Sequence, residues 1–163
     1  MARQLWMLRH GEAEPHDARS DERRRLTARG ERQSTAAGAA LARLGVEFTA
    51  ALTSPRVRAR DTARLACEAL GVEPAEHAPL SAGWESADAL EILAGADADA
   101  RVLVVGHEPD FSQVVHDLTG ARIDLKKGGV AAVRLDGSRG ELLVLLRPRE
   151  LESIARLEDL DAG

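Results

Sequence analysis

"RVLVVGH", residues 101–107, decides the architecture of this chain. A continuous β-branched run closed by Gly-His, and followed by "DFSQVVHDLTG" at helical period, reads as a central parallel strand feeding a helix. The flanking sequence repeats that order. Residues 3–8 read as a buried strand, and "LTARGERQSTAAGAALARLG" as a helix, with Leu26, Ala37, Leu41 and Leu44 at helical spacing and Gly45 as its stop. "FTAALTS" reads as a second strand. "SPRVRARDTARLACEALG" then predicts a helix with Ser54 as N-cap, Pro55 at the first helical position and Gly71 past the end. A short strand is expected near 75–78 and a helix near 86–94. "VAAVRLDGSRGELLVLLRP" is a hairpin, and "RPRELESIARLEDL" a helix whose tail frays after about residue 158. The expectation is an α/β fold: a three-layer α/β/α sandwich with a mostly parallel central sheet and an antiparallel edge hairpin, one domain over residues 1–163.

The composition narrows the function classes. The chain has 22 Lys+Arg against 27 Asp+Glu, a net charge of −5, which argues against a nucleic-acid module. Aromatic residues are too scarce for base or sugar stacking: Trp6, Phe48, Trp84, Phe111 and no Tyr. The lone Cys67 excludes an internal disulfide or a multi-cysteine metal site and reads as a small core residue. The alanine richness reads as a compositional bias. No apolar stretch has the length of a signal peptide or a membrane span, so a soluble, cytoplasmic protein is expected.

In sheets of this kind, ligands bind beyond the carboxyl ends of the strands. Three segments bring unusual residues to that edge. Strand one ends in Arg9-His10-Gly11, strand two at Ser54 before a helix carrying Arg56 and Arg58, and the central strand in Gly106-His107. Guanidiniums match phosphate oxygens and a helix N-terminus adds N–H donors, so the ligand this edge suits is a phosphoryl group. One histidine can attack phosphorus if its other nitrogen keeps its proton in a hydrogen bond. Gly11 lets the backbone turn beside it. The second histidine and the arginines then cover the oxygens that carry transition-state charge. No metal or cofactor is required.

Together these motifs resemble the histidine phosphatase superfamily, the phosphoglycerate-mutase-like group. The family's Arg-His-Gly is Arg9-His10-Gly11, and its Ser-x-x-x-Arg-Ala-x-x-Thr-Ala is the stretch from Ser54 through Arg58 and Thr62. Its late Gly-His is Gly106-His107, and "LTARG" at 26–30 matches a further element. The resemblance implies a phosphoglycerate mutase-like fold. It also implies phosphorylation of His10 in turnover, a phosphate pocket of Arg9, Arg58 and His107, and Arg56 as an outward neighbour.

Only 48 residues lie between Arg58 and His107, which leaves little chain for a lid. That build, "VVGHEPDFS" and "LKKGGVA" look like the SixA-type phosphohistidine phosphatases. In that branch "SDERRRLT" places Asp21 and Arg24 near the site. A leaving imidazole needs no general acid when its second nitrogen is already protonated, whereas a leaving alkoxide does. The expected partner is therefore a protein bearing phosphohistidine.

The alternative is a small phosphomonoester, with Glu85 or a loop acid such as Glu12 or Glu14 as proton donor. Against Glu85 stands the simpler reading of an acid opening a helix. A catalytically silent phosphate-binding module is disfavoured because every core position of the pocket is filled. His16, His77 and His116 carry no expected role.

Overall fold

The computed structural model describes residues 2–137 and 139–157. Its strands are β1 (Arg3–Arg9), β2 (Ala50–Thr53), β3 (Pro74–Glu76), β4 (Arg101–Gly106), β5 (Val130–Asp136) and β6 (Arg139–Leu146). Its helices are α1 (Ala28–Arg43), α2 (Val57–Leu70), α3 (Ser86–Ala94), α4 (Asp110–Thr119) and α5 (Pro148–Ala155). The strands form one sheet in the order β3-β2-β4-β1-β5-β6. β3, β2, β4 and β1 run parallel, and β5 and β6 add an antiparallel hairpin to the free side of β1. This is the expected α/β sandwich.

Why the strands read as unbroken apolar runs follows from their two faces. Leu5, Met7, Val102, Val104, Ala131 and Val133 pack with Trp84, Phe111, Val114 and Leu118, on the side of α3 and α4. The alternate residues, Trp6, Leu8, Leu103, Val105 and Ala132, pack with Ala37, Leu41, Ala63 and Leu151 of α1, α2 and α5. A strand covered on both faces keeps no polar side.

Register places the site. Arg9 pairs with Gly106, and Thr53 with Val105, so β1, β2 and β4 finish at one level. The residues that follow them, His10, Ser54 and His107, emerge together.

The alanines have a use that composition alone hides. Gly38 of α1 lies against α2 so closely that a Cβ there would stand 2.2 Å from the Ala66 carbonyl oxygen. Ala37, Ala40, Ala59, Ala63 and Ala66 are all buried in the same core. Small side chains on both helices set that short separation.

Several boundaries differ from the sequence expectation: β2 and α1 are shorter at their ends by one or two residues, and α2 and β3 are shifted. α2 begins at Val57 with Arg56 at the N-cap, not at Pro55 with Ser54 capping. Just past β2, Ser54 still donates its N–H to the Val105 carbonyl at 2.9 Å, which keeps the chain extended there and delays the helix. Its hydroxyl instead accepts the Arg56 N–H at 3.2 Å. β3 starts at Pro74 rather than residue 75 and ends at Glu76, because residues 78–81 turn into a short 3-10 segment. The tail beyond residue 157 lies outside the described residues, and among those described no helix is long and apolar enough to cross a membrane.

Gly38→Ala is expected to destabilise the fold by about 1–3 kcal/mol in urea unfolding, the usual range for overpacking a close contact. Gly95→Ala is the matched control: its φ is −82° and the nearest atoms to an added Cβ are 3.8 Å away. It should be neutral or stabilising by up to about 1 kcal/mol.

Candidate active site

A cavity of about 260 Å³ opens at this sheet edge, lined by Arg9, His10, His16, Asp21, Arg24, Arg58, His107, Glu108 and Lys127. The two imidazoles that end β1 and β4 face each other across it, with ring centroids 5.3 Å apart. Segments about a hundred residues apart in sequence therefore meet as expected.

The His10 ring is oriented by its own neighbour. Its Nδ1 lies 2.7 Å from the Gly11 carbonyl oxygen, so the proton sits on Nδ1 and Nε2 keeps its lone pair. That carbonyl is held in turn. The Gly11 N–H donates to Thr62 Oγ1 at 3.1 Å, and Thr62 donates to the Arg58 carbonyl at 2.7 Å. A Cβ on Gly11 would stand 2.5 Å from the Gly30 carbonyl oxygen, and one on Gly30 would stand 1.9 Å from that of Glu12. Two glycines thus let the loop after β1 lie directly on the first turn of α1. Lysine-glycine backbone closes the other side: the Gly128 N–H donates to the His10 carbonyl at 2.9 Å.

His107 is held differently. Its Nε2 lies 2.8 Å from Ser54 Oγ, leaving Nδ1 buried without a protein partner. Ser54 Oγ already accepts the Arg56 N–H, which leaves its proton for Nε2, so Nδ1 carries the ring proton and is a donor. Arg9 Nε and Arg58 Nε are likewise buried and unpartnered among the described residues. Leaving a buried donor unmet costs about 1–3 kcal/mol. Three such donors on residues lining one cavity fit a ligand with several acceptor oxygens. Burial, followed for His10 by the backbone hydrogen bond to Gly11 that opposes it, dominates the imidazole pKa values. Both rings are pushed down to about 3 and are neutral at pH 7. For His107, Arg58 and Arg56 add to that depression.

Asp21 organises the cations. Arg24 Nε donates to its Oδ1 at 3.0 Å, Arg58 reaches its Oδ2 at 3.3 Å and its carbonyl at 2.6 Å, and Arg56 bonds Oδ2 as well. Partial burial pushes the Asp21 carboxyl up, but Arg58, Arg24 and Arg56 outweigh it and hold the group below its ordinary value. Arg9 is anchored separately, donating to the Leu125 carbonyl at 2.9 Å.

Measured against the sequence expectations, Arg9, His10, Asp21, Arg24, Arg58 and His107 all line the cavity. Gly11 and Ser54 are not in the lining: one positions His10 and the other His107. Arg56 does not line the cavity and stays a neighbour of it, its guanidinium held by Asp21 and Ser81. Glu85 lies at the N-cap of α3, its N–H bonded to Asp88 at 2.8 Å, and lines a different depression beside Trp84. A helix-capping position fixes it there. Glu12 accepts from Thr27, and Glu14 from Arg25 and Arg19, so both loop acids are engaged outside the cavity. Sequence reasoning missed four contributors. Thr62 was legible as the residue one turn after Arg58 on the same helix face. Lys127 and Glu108 sit beside quoted motifs, and nothing local marks His16.

Two measurements follow from this geometry. Long-range 1H–15N NMR should show His10 as the Nδ1–H tautomer, with neither His10 nor His107 titrating between pH 5 and 8. Because both pKa values are lowered on folding, the unfolded chain binds the extra protons. Stability should then fall as pH drops from about 6.5 towards 3, by up to ~1.4 kcal/mol per pH unit for each ring. His10→Gln/His107→Gln should flatten that slope in urea unfolding.

Comparison with known proteins places the whole chain. The family model described as histidine phosphatase superfamily (branch 1) matches residues 5–81. An uncharacterized protein of Picosynechococcus sp. is 33% identical over 162 residues, covering 91% of this chain and 98% of that one. The solved structure of the protein histidine phosphatase SixA complexed with tungstate superposes with a TM-score of 0.82 at 26% identity, covering 91% of this chain and 99% of that one. Phosphoserine phosphatase from Entamoeba histolytica, in complex with 3-phosphoglyceric acid, shares the fold at 14% identity and a TM-score of 0.73, covering 91% and 99%. With paired imidazoles, an arginine wall and a matching chain course all in place, the protein belongs to the histidine phosphatase superfamily.

Proposed function

We propose that the protein is a metal-independent phosphatase that removes the phosphoryl group from phosphohistidine on a protein, through a phosphohistidine intermediate on His10. The observation that carries this reading is the His10 ring: Nδ1–H is tied to the Gly11 carbonyl and Nε2 bears a lone pair in a cavity walled by guanidiniums. Nε2 attacks phosphorus, the substrate P–N bond breaks, and its electron pair returns to the leaving imidazole. That ring departs neutral when its remote nitrogen is protonated. His10, protonated on Nδ1, becomes a phospho-imidazolium of the same kind, so the first transfer is close to isoenergetic. Water then attacks phosphorus. One of its protons stays on the product phosphate, the other leaves to solvent, and His10 regains its lone pair.

Arg9, Arg58 and the His107 Nδ1–H stabilise the equatorial oxygens, where charge sits during the transfer. Losing one such donor typically costs about 3–4 kcal/mol of barrier. His10 stays unprotonated for attack because its pKa is pushed down to about 3.

The protein substrate is favoured by the state of the carboxylates. An ester would need an acid to protonate its alcohol, and Glu85 does not line the cavity. Asp21 is neutralised by three arginines. Glu108 supports a second reading, a small phosphomonoester: it lines the cavity, although both its oxygens accept from Ser112.

Rapid mixing with a 32P-phosphohistidine peptide and alkaline quench should trap label on wild-type protein and none on His10→Ala. That variant should lose at least about 10³-fold in kcat/KM. Full activity in His10→Ala would remove the mechanism. Glu85→Gln should leave phosphohistidine and p-nitrophenyl phosphate hydrolysis within twofold of wild type. For Glu108→Gln the expectation is little change on phosphohistidine; a loss of about 10²-fold confined to esters would select the second reading.

A further inference from the structure

Beside the cavity lies a larger groove of about 550 Å³ that shares Arg9 and Lys127 with it. Six cations line this groove: Arg9, Arg29, Lys126, Lys127, Arg147 and Arg149. Its acids are Glu12 and Glu152. The sign runs against the whole chain, which carries a net charge of −5, so the cluster is not a sample of a basic surface.

Two of these cations stand where helix energetics disfavours them. Arg29 is the second residue of α1, and Arg149 the second of α5. The free N–H groups and positive dipole end of a helix favour acids in the first turn and oppose cations there. Two helices from distant parts of the chain each carry such a cation, and both open on the same groove. Helix stability does not account for that placement, whereas attraction of a negative partner does. Some of the charge is already paired: Lys126 with Asp124 at 2.7 Å, Arg147 with Glu150, and Arg29 with Glu12 at 3.7 Å. Lys127 and Arg149 form no ion pair among the described residues.

The form of the groove selects the kind of anion. Arg29, Lys126, Lys127, Arg147 and Arg149 are all exposed. Small-molecule sites enclose most of their ligand between preformed, largely apolar walls. An open trough rimmed by long solvated cations instead matches the charged periphery of a protein interface, which steers and orients an oppositely charged partner.

We infer that this groove docks an acidic segment of the phosphorylated protein. Carboxylates flanking the phosphohistidine lie along Arg29, Lys126, Arg147 and Arg149 while the phosphoryl group enters the His10 cavity. The inference rests on the reading of that cavity as a protein phosphohistidine site. It adds a basis for choosing among phosphohistidine proteins: acidity beside the modified histidine.

The test uses the full chain and two peptides with a single histidine, one flanked by glutamates and one by glutamines. Each is studied phosphorylated, as substrate, and unphosphorylated with a fluorescent label, for binding by anisotropy. Wild type should bind the glutamate peptide about tenfold more tightly at low ionic strength, with the gap closing near ~0.5 M salt. The same preference should appear in KM for the phosphorylated pair. Arg29→Glu/Arg149→Glu should abolish it in both measurements while kcat/KM for p-nitrophenyl phosphate stays within twofold. Acids suit both helix positions, and Arg29→Gln/Arg149→Gln, which sets no like charge beside Glu12, should lose the preference as well. Arg64→Glu/Arg122→Glu, the same change in net charge outside the groove, should retain the preference. Equal binding of both peptides by wild type, or a preference that survives Arg29→Glu/Arg149→Glu, overturns the inference. Displacement of the glutamate peptide by tightly bound inorganic tripolyphosphate, dependent on Arg29 and Arg149, overturns it in favour of a small-anion site. If the unphosphorylated peptides discriminate as expected but the phosphorylated ones are not hydrolysed, the catalytic reading fails and the docking surface stands.

Discussion

One hydrogen bond sets the terms for the rest of the site: the 2.7 Å contact between His10 Nδ1 and the carbonyl of its neighbour Gly11. It decides which ring nitrogen holds the proton and which is left with a lone pair. A carbonyl can hold a ring only if the carbonyl itself cannot move. Here the Gly11 N–H is bonded to Thr62, a residue on α2, and the loop is pressed onto α1 at Gly30 with no room for a Cβ. Thr62 also accepts from Ser34 of α1 at 3.2 Å. Both helices therefore converge on the orientation of a single imidazole.

The electrostatics around that ring are costly by design of the fold. Two neutral imidazoles and several guanidiniums share a cavity that disfavours additional positive charge, and both rings lose their basicity to burial. Asp21 offsets part of the cation repulsion by gathering Arg24, Arg56 and Arg58 around one carboxylate. A dianionic phosphoryl group relieves the remainder, because its oxygens can accept from the donors that the protein leaves unmet. A site of this kind favours its ligand partly by being strained without it.

Much of this was readable from the chain. Arg9, His10, Arg58 and His107 were identifiable because each follows a strong apolar strand or opens a well-marked helix, and parallel strands deliver such residues to one edge. Asp21 and Arg24 required the family resemblance, since they lie in irregular chain between β1 and α1. His16 and Lys127 line the same cavity from loops whose course no periodicity encodes. Where Glu85 stands relative to the cavity was hidden for a similar reason. Its helix-start signal was correct, but which depression that helix start borders depends on how α3 packs beside α4.

The amino-acid sequence by itself determined the order of strands and helices, the burial of both sheet faces and the chemistry collected at the sheet's edge. These are consequences of local periodicity, capping and residue type, and they act over a few residues. The tertiary structure alone decided that Ser54 holds His107, that Asp21 ties Arg56 to Arg58, and that the alanines and Gly38 bring α1 against α2. It also decided that Arg29 and Arg149 share a groove. Each of these joins residues some twenty to a hundred and twenty positions apart, and contact at such separations is fixed by crossover order and helix spacing rather than by any neighbouring residue.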